Sequence, residues 1–148
     1  MHKLIEYRPP RIAMSFVLIA FIAHLLAPMP LHPALPVAAS IAGIAGFAIM
    51  IRAWWLFKRA ATPICPTASS TSLLTHDVYS ISRNPMYLGM ILMLLGLALA
   101  AGSVPFYAIV ISYACLIDRV FCPYEEAKSL AEFGDQYRAY ADTVRRWL

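Results

Sequence analysis

Long apolar runs alternate with short polar breaks along this chain, and the runs have the length of membrane crossings. The first covers residues 12–26, extendable to 31, and the second covers residues 34–57. Each approaches the roughly 20 residues needed to cross a hydrocarbon core. Pro28, Pro30, Pro33 and Pro36 punctuate a short turn between them, since proline cannot continue a helix. The third apolar stretch, residues 85–117, is too long for one span, and Gly102-Ser103-Val104-Pro105 divides it. The pattern predicts a helical hairpin with arms at 86–101 and 105–120, both slightly short, so that tilt or local thinning of the bilayer is expected. Residues 60–84 are rich in Thr, Ser and Pro and lack helical periodicity. After the hairpin the period changes: Leu130, Phe133, Tyr137, Tyr140 and Val144 recur every three or four residues, which is an amphipathic helix. Pro123 suits its start, and Glu125 and Glu126 fall in its first turn, where the helix dipole favours anions.

The expected fold is therefore all-α: a polytopic membrane protein of about four transmembrane helices plus a C-terminal amphipathic cytoplasmic helix. Residues 1–148 form a single domain. Residues 1–59 carry two N-terminal spans, and residues 60–148 carry a cytoplasmic loop, the hairpin and the tail. Ala38, Ala42 and Gly46 form a small-residue ladder on the second span, a pattern that lets a neighbouring helix approach closely.

Composition agrees with a bilayer environment. The chain is 61% hydrophobic with a mean hydropathy of +0.66, far too apolar for a soluble domain of 148 residues. Its net charge of +4 is distributed by topology. Lys3, Arg8 and Arg11 precede the first span; Arg52, Lys58 and Arg59 end the second; Arg83 precedes the third; and Arg119 ends the fourth. The turns on the other side, residues 28–36 and 102–105, carry no Lys or Arg. The positive-inside rule puts both termini and the 58–84 loop in the cytoplasm. No basic face with interleaved aromatics argues for nucleic acid. Arg8 to Arg11 lead into a full-length span without a small-residue cleavage site, so no cleavable signal is expected. Cys65, Cys115 and Cys122 form no CxxC pair and no metal-ligand spacing. Cys115, inside an apolar run, reads as a small core residue. His24 and His32 read as interfacial polar residues, and Trp54, Trp55 and Trp147 as interfacial aromatics.

The chemistry concentrates in two clusters. Tyr79-x3-Arg83-Asn84-Pro85-Met86-Tyr87-x-Gly89 opens the hairpin, and Pro123-Tyr124-Glu125-Glu126 closes it. Charged groups beside a spanning helix are costly and mark sites. Two clusters flanking one hairpin predict a pocket at the membrane surface. No G-x-G-x-x-G follows a strand, and no length remains for a Rossmann domain, so any cofactor must bind among helix ends and the loop.

In this order, with Leu130, Phe133-Gly134, Tyr137 and Tyr140 after the glutamate pair, these residues resemble the isoprenylcysteine carboxyl methyltransferase and phospholipid methyltransferase superfamily, in its bacterial form. The resemblance covers roughly residues 60–148 and includes Thr62-Pro63-Ile64-Cys65-Pro66. It implies a small helical membrane enzyme using S-adenosylmethionine as cofactor. Its partners are then the lipid bilayer and a lipophilic methyl acceptor, with no metal and no nucleic acid. The acceptor is an isoprenylcysteine-type carboxylate or thiol, or a phospholipid amine. Carried over by position, the cofactor-binding residues are Thr71, Ser72, Leu73, Leu74, Tyr79, Asn84, Pro85, Met86, Tyr87 and Glu125. Arg119 would meet substrate. Arg83 and Glu126 take catalytic roles, Arg83 holding a carboxylate or phosphate with its planar fork. Glu126, or His76, is the base if the acceptor is an ammonium; a carboxylate acceptor needs none.

Three departures qualify the match. Asn84 stands where the eukaryotic carboxyl methyltransferases have His. Asp77 replaces the usual Gly before Val78-Tyr79. Phe121 occupies the usual arginine position, with Arg119 two residues earlier and Pro123 expected to break the helix between Arg119 and the glutamates. Two other classes remain: an NADPH-dependent lipid or sterol reductase-like enzyme, and a non-catalytic membrane assembly protein of the same fold.

Overall fold

The computed structural model describes residues 9–60 and 72–148. Proline sets where most of the helices begin. Helix α1 is Pro9–Leu26, α2 is Pro36–Arg59, α3 is Pro85–Ala101 and α4 is Val104–Leu116. Proline at the first helical positions costs no hydrogen bond, because those N–H groups have no intrahelical partner anyway. A 3₁₀ turn, Asp77–Ser80, precedes α3. After α4 come a π-helical segment Ile117–Phe121, then α5, Cys122–Phe133, and α6, Asp135–Thr143. The expected all-α polytopic membrane fold is what the chain adopts. Pro9–Leu26, Pro36–Arg59 and the combined helix Val104–Phe133 are each long and apolar enough to span, and α3 is a shorter apolar helix beside them. At 17 residues, α3 is about 25 Å long, less than a typical hydrocarbon core.

The tightest packing is between α2 and α3. A Cβ added at Gly46 would lie 2.5 Å from the Gly89 carbonyl oxygen, and one at Gly89 would lie 2.6 Å from that of Gly46. Further along, Gly96 meets the backbone of Ala39 and Gly43. The contact stripe therefore runs through Ala39, Gly43 and Gly46 and on to Ala53, so that of the expected ladder Gly46 lies on it and Ala38 does not. Ala38 is exposed. Tyr87, Met90, Leu94, Phe106, Ile109 and Tyr113 fill the core between α3 and α4, with Phe16 and Val17 of α1 packed against them.

The two turns opposite the site clasp each other. The Leu31 N–H donates to the Gly102 carbonyl at 2.8 Å, and Val104 N–H donates to that of Met29 at 3.0 Å. His24 shares a 2.9 Å hydrogen bond with buried Ser103, and His32 a 2.6 Å one with Tyr107. Both histidines thus tie the turns together, which the interfacial reading did not anticipate.

The structure corrects three further expectations. The tail is two helices, because Gly134 at φ 54 breaks it; Val144 is extended and Leu130 is exposed. Pro123 does not break the helix that carries the glutamates. The backbone widens into a π turn just before it, with Cys122 N–H reaching the Ile117 carbonyl five residues back. A π turn absorbs a residue that would otherwise disturb the regular ladder. Cys115 faces outward, whereas Cys122 is buried. Trp147 packs against the core and donates to Asp118.

Candidate functional site

The pre-proline geometry of Asn84 starts the site. Its φ of −129° and ψ of 53° hold it out of the helical region, as the following proline ring requires. The chain therefore turns sharply, and Arg83 and Asn84 face inward under the first turn of α3. Upstream, Asp77 takes a left-handed φ of 61°, where the usual residue is glycine and Asp is among the better tolerated alternatives. Its Oδ1 accepts from Val78 N–H at 2.8 Å, while Oδ2 pairs with Arg52 of α2, whose Nε lies at 3.0 Å. Arg52 holds the Asp77 carboxyl below its ordinary range. This pins the 3₁₀ turn, and with it Tyr79, against α2.

A cavity of about 200 Å³ opens between these segments and the tail helices. Ser72, Leu73, Leu74, Tyr79, Arg83, Asn84, Pro85, Met86, Tyr87, Glu125 and Glu126 all line it. Thr71 and the Thr62–Cys65 segment lie outside the described residues. Arg119 is not among the lining residues; its side chain is 84% exposed and pairs with Asp118 at 3.5 Å. Arg119 thus lies within the π segment and outside the cavity wall. His76 is not a lining residue either.

Within the cavity the two sequence clusters meet directly. The Tyr87 hydroxyl donates to Glu125 Oε1 at 2.5 Å, joining the first turn of α3 to α5. Tyr140 donates to the Tyr79 carbonyl at 2.7 Å, so α6 closes over the 3₁₀ turn. Burial pushes the Tyr79 and Tyr140 phenols up, keeping both neutral. Glu126 has a different setting from Glu125. Arg146 holds it through two hydrogen bonds, at 2.9 and 2.7 Å, and Arg83 reaches it at 3.4 Å. Both oxygens of Glu126 are thus engaged by arginines, whereas Glu125 is held by a tyrosine hydroxyl.

Sequence reasoning missed several groups. Lys128 and Ser129 line the cavity. They are findable, because they follow Glu125 at helical spacing on one face. Phe133, Tyr137 and Tyr140 stand on the apolar stripe of the sequence without an assigned role, and all three line the cavity. Ser82, Asp118 and Arg146 gave no local signal. The Ser82 hydroxyl and Asn84 Nδ2 both donate to the Arg146 carbonyl, at 3.0 and 3.4 Å, across more than 60 residues of sequence.

No solved structure matches this chain. An uncharacterized protein of Haemophilus influenzae is 38% identical over 63 residues, which is 43% of this chain and the whole of that protein. The phospholipid methyltransferase family matches residues 36–136. That stretch runs from the start of α2 through both site clusters to the start of α6, so the chain belongs to the phospholipid methyltransferase family and is a membrane methyltransferase.

Proposed function

We propose that this protein transfers a methyl group from S-adenosylmethionine to a lipophilic acceptor at the cytoplasmic face of the membrane, in a bacterial inner membrane. The observation that carries the reading is the convergence of Arg83-Asn84-Pro85-Met86-Tyr87 and Glu125 on one cavity, joined by the Tyr87–Glu125 hydrogen bond.

The residues present suit such a cofactor. Arg83 Nε is buried with no hydrogen-bond partner among the described residues, a donor waiting for an acceptor. Glu125 is an acceptor that suits the amino or ribose groups of a nucleoside. Tyr79, Phe57 and Phe133 supply apolar ring surface. When bound, S-adenosylmethionine supplies an electrophilic methyl group. The chain's own task is to align donor and acceptor and to exclude water, and the Tyr137–Tyr140 face of α6 lies over the cavity for that purpose.

A second, apolar groove of about 550 Å³ runs along α1 and α3. Pro10 and Met90 belong to both its wall and the cavity's. Met14, Met50 and Met93 also line it, and methionine adapts readily to irregular chains. This supports a hydrocarbon tail entering laterally from the bilayer, with its polar end at the cavity. Arg52, Lys58, Arg59 and Arg83 at the site end, against no Lys or Arg in the clasped turns, support the cytoplasmic orientation.

Isothermal titration of the detergent-purified protein with S-adenosylmethionine tests the proposal, followed by label transfer from the donor into a lipid extract. Glu125→Ala should abolish or greatly weaken donor binding. Stabilisation by NADPH without stabilisation by the methyl donor would reverse the assignment towards a reductase.

A further inference from the structure

Two arginines compete for Glu126, and the competition is settled by the segment after α6. Arg146 takes both carboxylate oxygens at 2.9 and 2.7 Å, while Arg83 reaches only Oε1, at 3.4 Å. A fork-to-fork pair of the first kind is far stronger than a single long contact. Arg146 is itself held from behind. Its NH1 donates to Asp118 Oδ1 at 3.1 Å, and Trp147 Nε1 donates to the same oxygen at 3.0 Å. Its carbonyl receives Ser82 and Asn84, and the neighbouring Arg145 carbonyl receives the Arg83 N–H at 3.0 Å. Residues 145–147 therefore grip both the backbone of the Arg83–Asn84 turn and the carboxylate beside it.

The outcome for Arg83 is unusual. Its side chain is only 17% exposed and lines the cavity, yet Nε has no hydrogen-bond partner among the described residues. Leaving the Nε of a charged group buried without a partner is costly, and the single long contact to Glu126 and the interaction with Tyr137 leave it so, because Arg146 holds both oxygens of that carboxylate.

We infer that Arg146 is a positioning residue: by occupying Glu126 it keeps the Arg83 guanidinium turned to the cavity, where it receives the oxyanion of a bound ligand. The ligand's oxyanion is the carboxylate of the methyl donor or the phosphate of a lipid acceptor, both of which fit a planar guanidinium fork. This rests on the methyltransferase reading above.

The test is a titration series on the full-length protein in detergent. Arg146→Gln frees Glu126 to capture Arg83, so affinity for the oxyanion ligand should fall about tenfold or more. Adding Glu126→Gln removes the competitor, and the double variant should recover to within about threefold of wild type, while Arg83→Gln should stay weak in either background. S-Adenosylmethionine and 5′-methylthioadenosine, which lacks the carboxylate, are titrated in parallel with dihexanoyl phosphatidylglycerol. A loss seen with S-adenosylmethionine but not with methylthioadenosine identifies the donor carboxylate, and a loss confined to the phospholipid identifies the phosphate. A double variant as weak as Arg146→Gln, or weaker, would show a purely structural clamp and overturn the inference, as would unchanged affinity in Arg146→Gln. Wild-type protein that binds phospholipid but no methyl donor would fail the functional reading alone, and the phospholipid arm would still decide the role of Arg146.

Discussion

Replacing Gly89 with alanine should separate α2 from α3 and disturb the site at the end of that contact. The new Cβ would sit 2.6 Å from the Gly46 carbonyl oxygen and 2.9 Å from both Met50 N and Met50 Cβ. Two of those three atoms are backbone, so no rotamer change relieves the clash, and the helices must part by about 0.5–1 Å to restore ordinary contact. Overpacking of this kind costs about 1–3 kcal/mol. Gly43 provides the control on the neighbouring helix, since a Cβ there meets nothing within 4 Å. Gly43→Ala should stabilise by about 0.5–1 kcal/mol, from the lower backbone entropy of alanine alone. The two variants should therefore differ by about 1.5–4 kcal/mol, which for a chain of this size is a gap of roughly 3–16 °C in melting temperature. Thermal unfolding in one detergent, followed by tryptophan fluorescence, measures it. Because α3 begins at Pro85–Tyr87 and α2 carries Phe57 and Arg52, Gly89→Ala should also weaken methyl-donor binding. Equal melting temperatures for the two variants would refute the close crossing.

Other outcomes follow from single contacts. Tyr87→Phe removes the hydroxyl that donates to Glu125; the loss of one side-chain hydrogen bond, about 0.5–1.5 kcal/mol, predicts a fall of about two- to tenfold in donor affinity by calorimetry with little change in fold. Asp77 has its pKa depressed in the folded state by Arg52. Its contribution to stability is present above the ordinary carboxylate pKa near 4, and disappears as pH falls through the lower folded value. Asp77→Asn should flatten the acid limb of a stability–pH curve below about pH 4, and leave neutral pH changed mainly by the lost ion pair. Arg119→Ala should change stability by no more than about 0.5 kcal/mol, a melting-temperature shift of about 2 °C or less, and leave donor affinity unchanged by calorimetry.

Much of the architecture could be read from the sequence because apolar length and proline position are local properties. Pro36 and Pro85 head the helices they were expected to bound, and the residues of the two clusters that meet in the cavity are near neighbours along the chain within each cluster. What the sequence concealed is what depends on partners far away. Ala38–Ala42–Gly46 and Ala39–Gly43–Gly46 are both small-residue stripes, and only the placement of Gly89 and Gly96 selects the second. Cys115 sits on a helix that is apolar all round, so nothing in the pattern says which side meets lipid. Arg146 and Trp147 act on Asp118 and Glu126 across at least 20 residues, with no periodicity to announce it. The expected break at Pro123 failed for another reason: a proline ring excludes the regular ladder, but a one-residue register change accommodates it just as well.

That register change has a mechanical consequence. The helix from Val104 to Phe133 is 30 residues long, a rod of about 45 Å that passes from the bilayer into the site without a joint. Glu125 and Glu126 are thus indexed to the span rather than to a separate surface element. A tilt of about 10° about the rod's midpoint swings its ends by roughly 4 Å, more than a hydrogen bond can stretch. The thickness of the surrounding bilayer, which sets how far such a span leans, therefore becomes a variable in the alignment of the pocket.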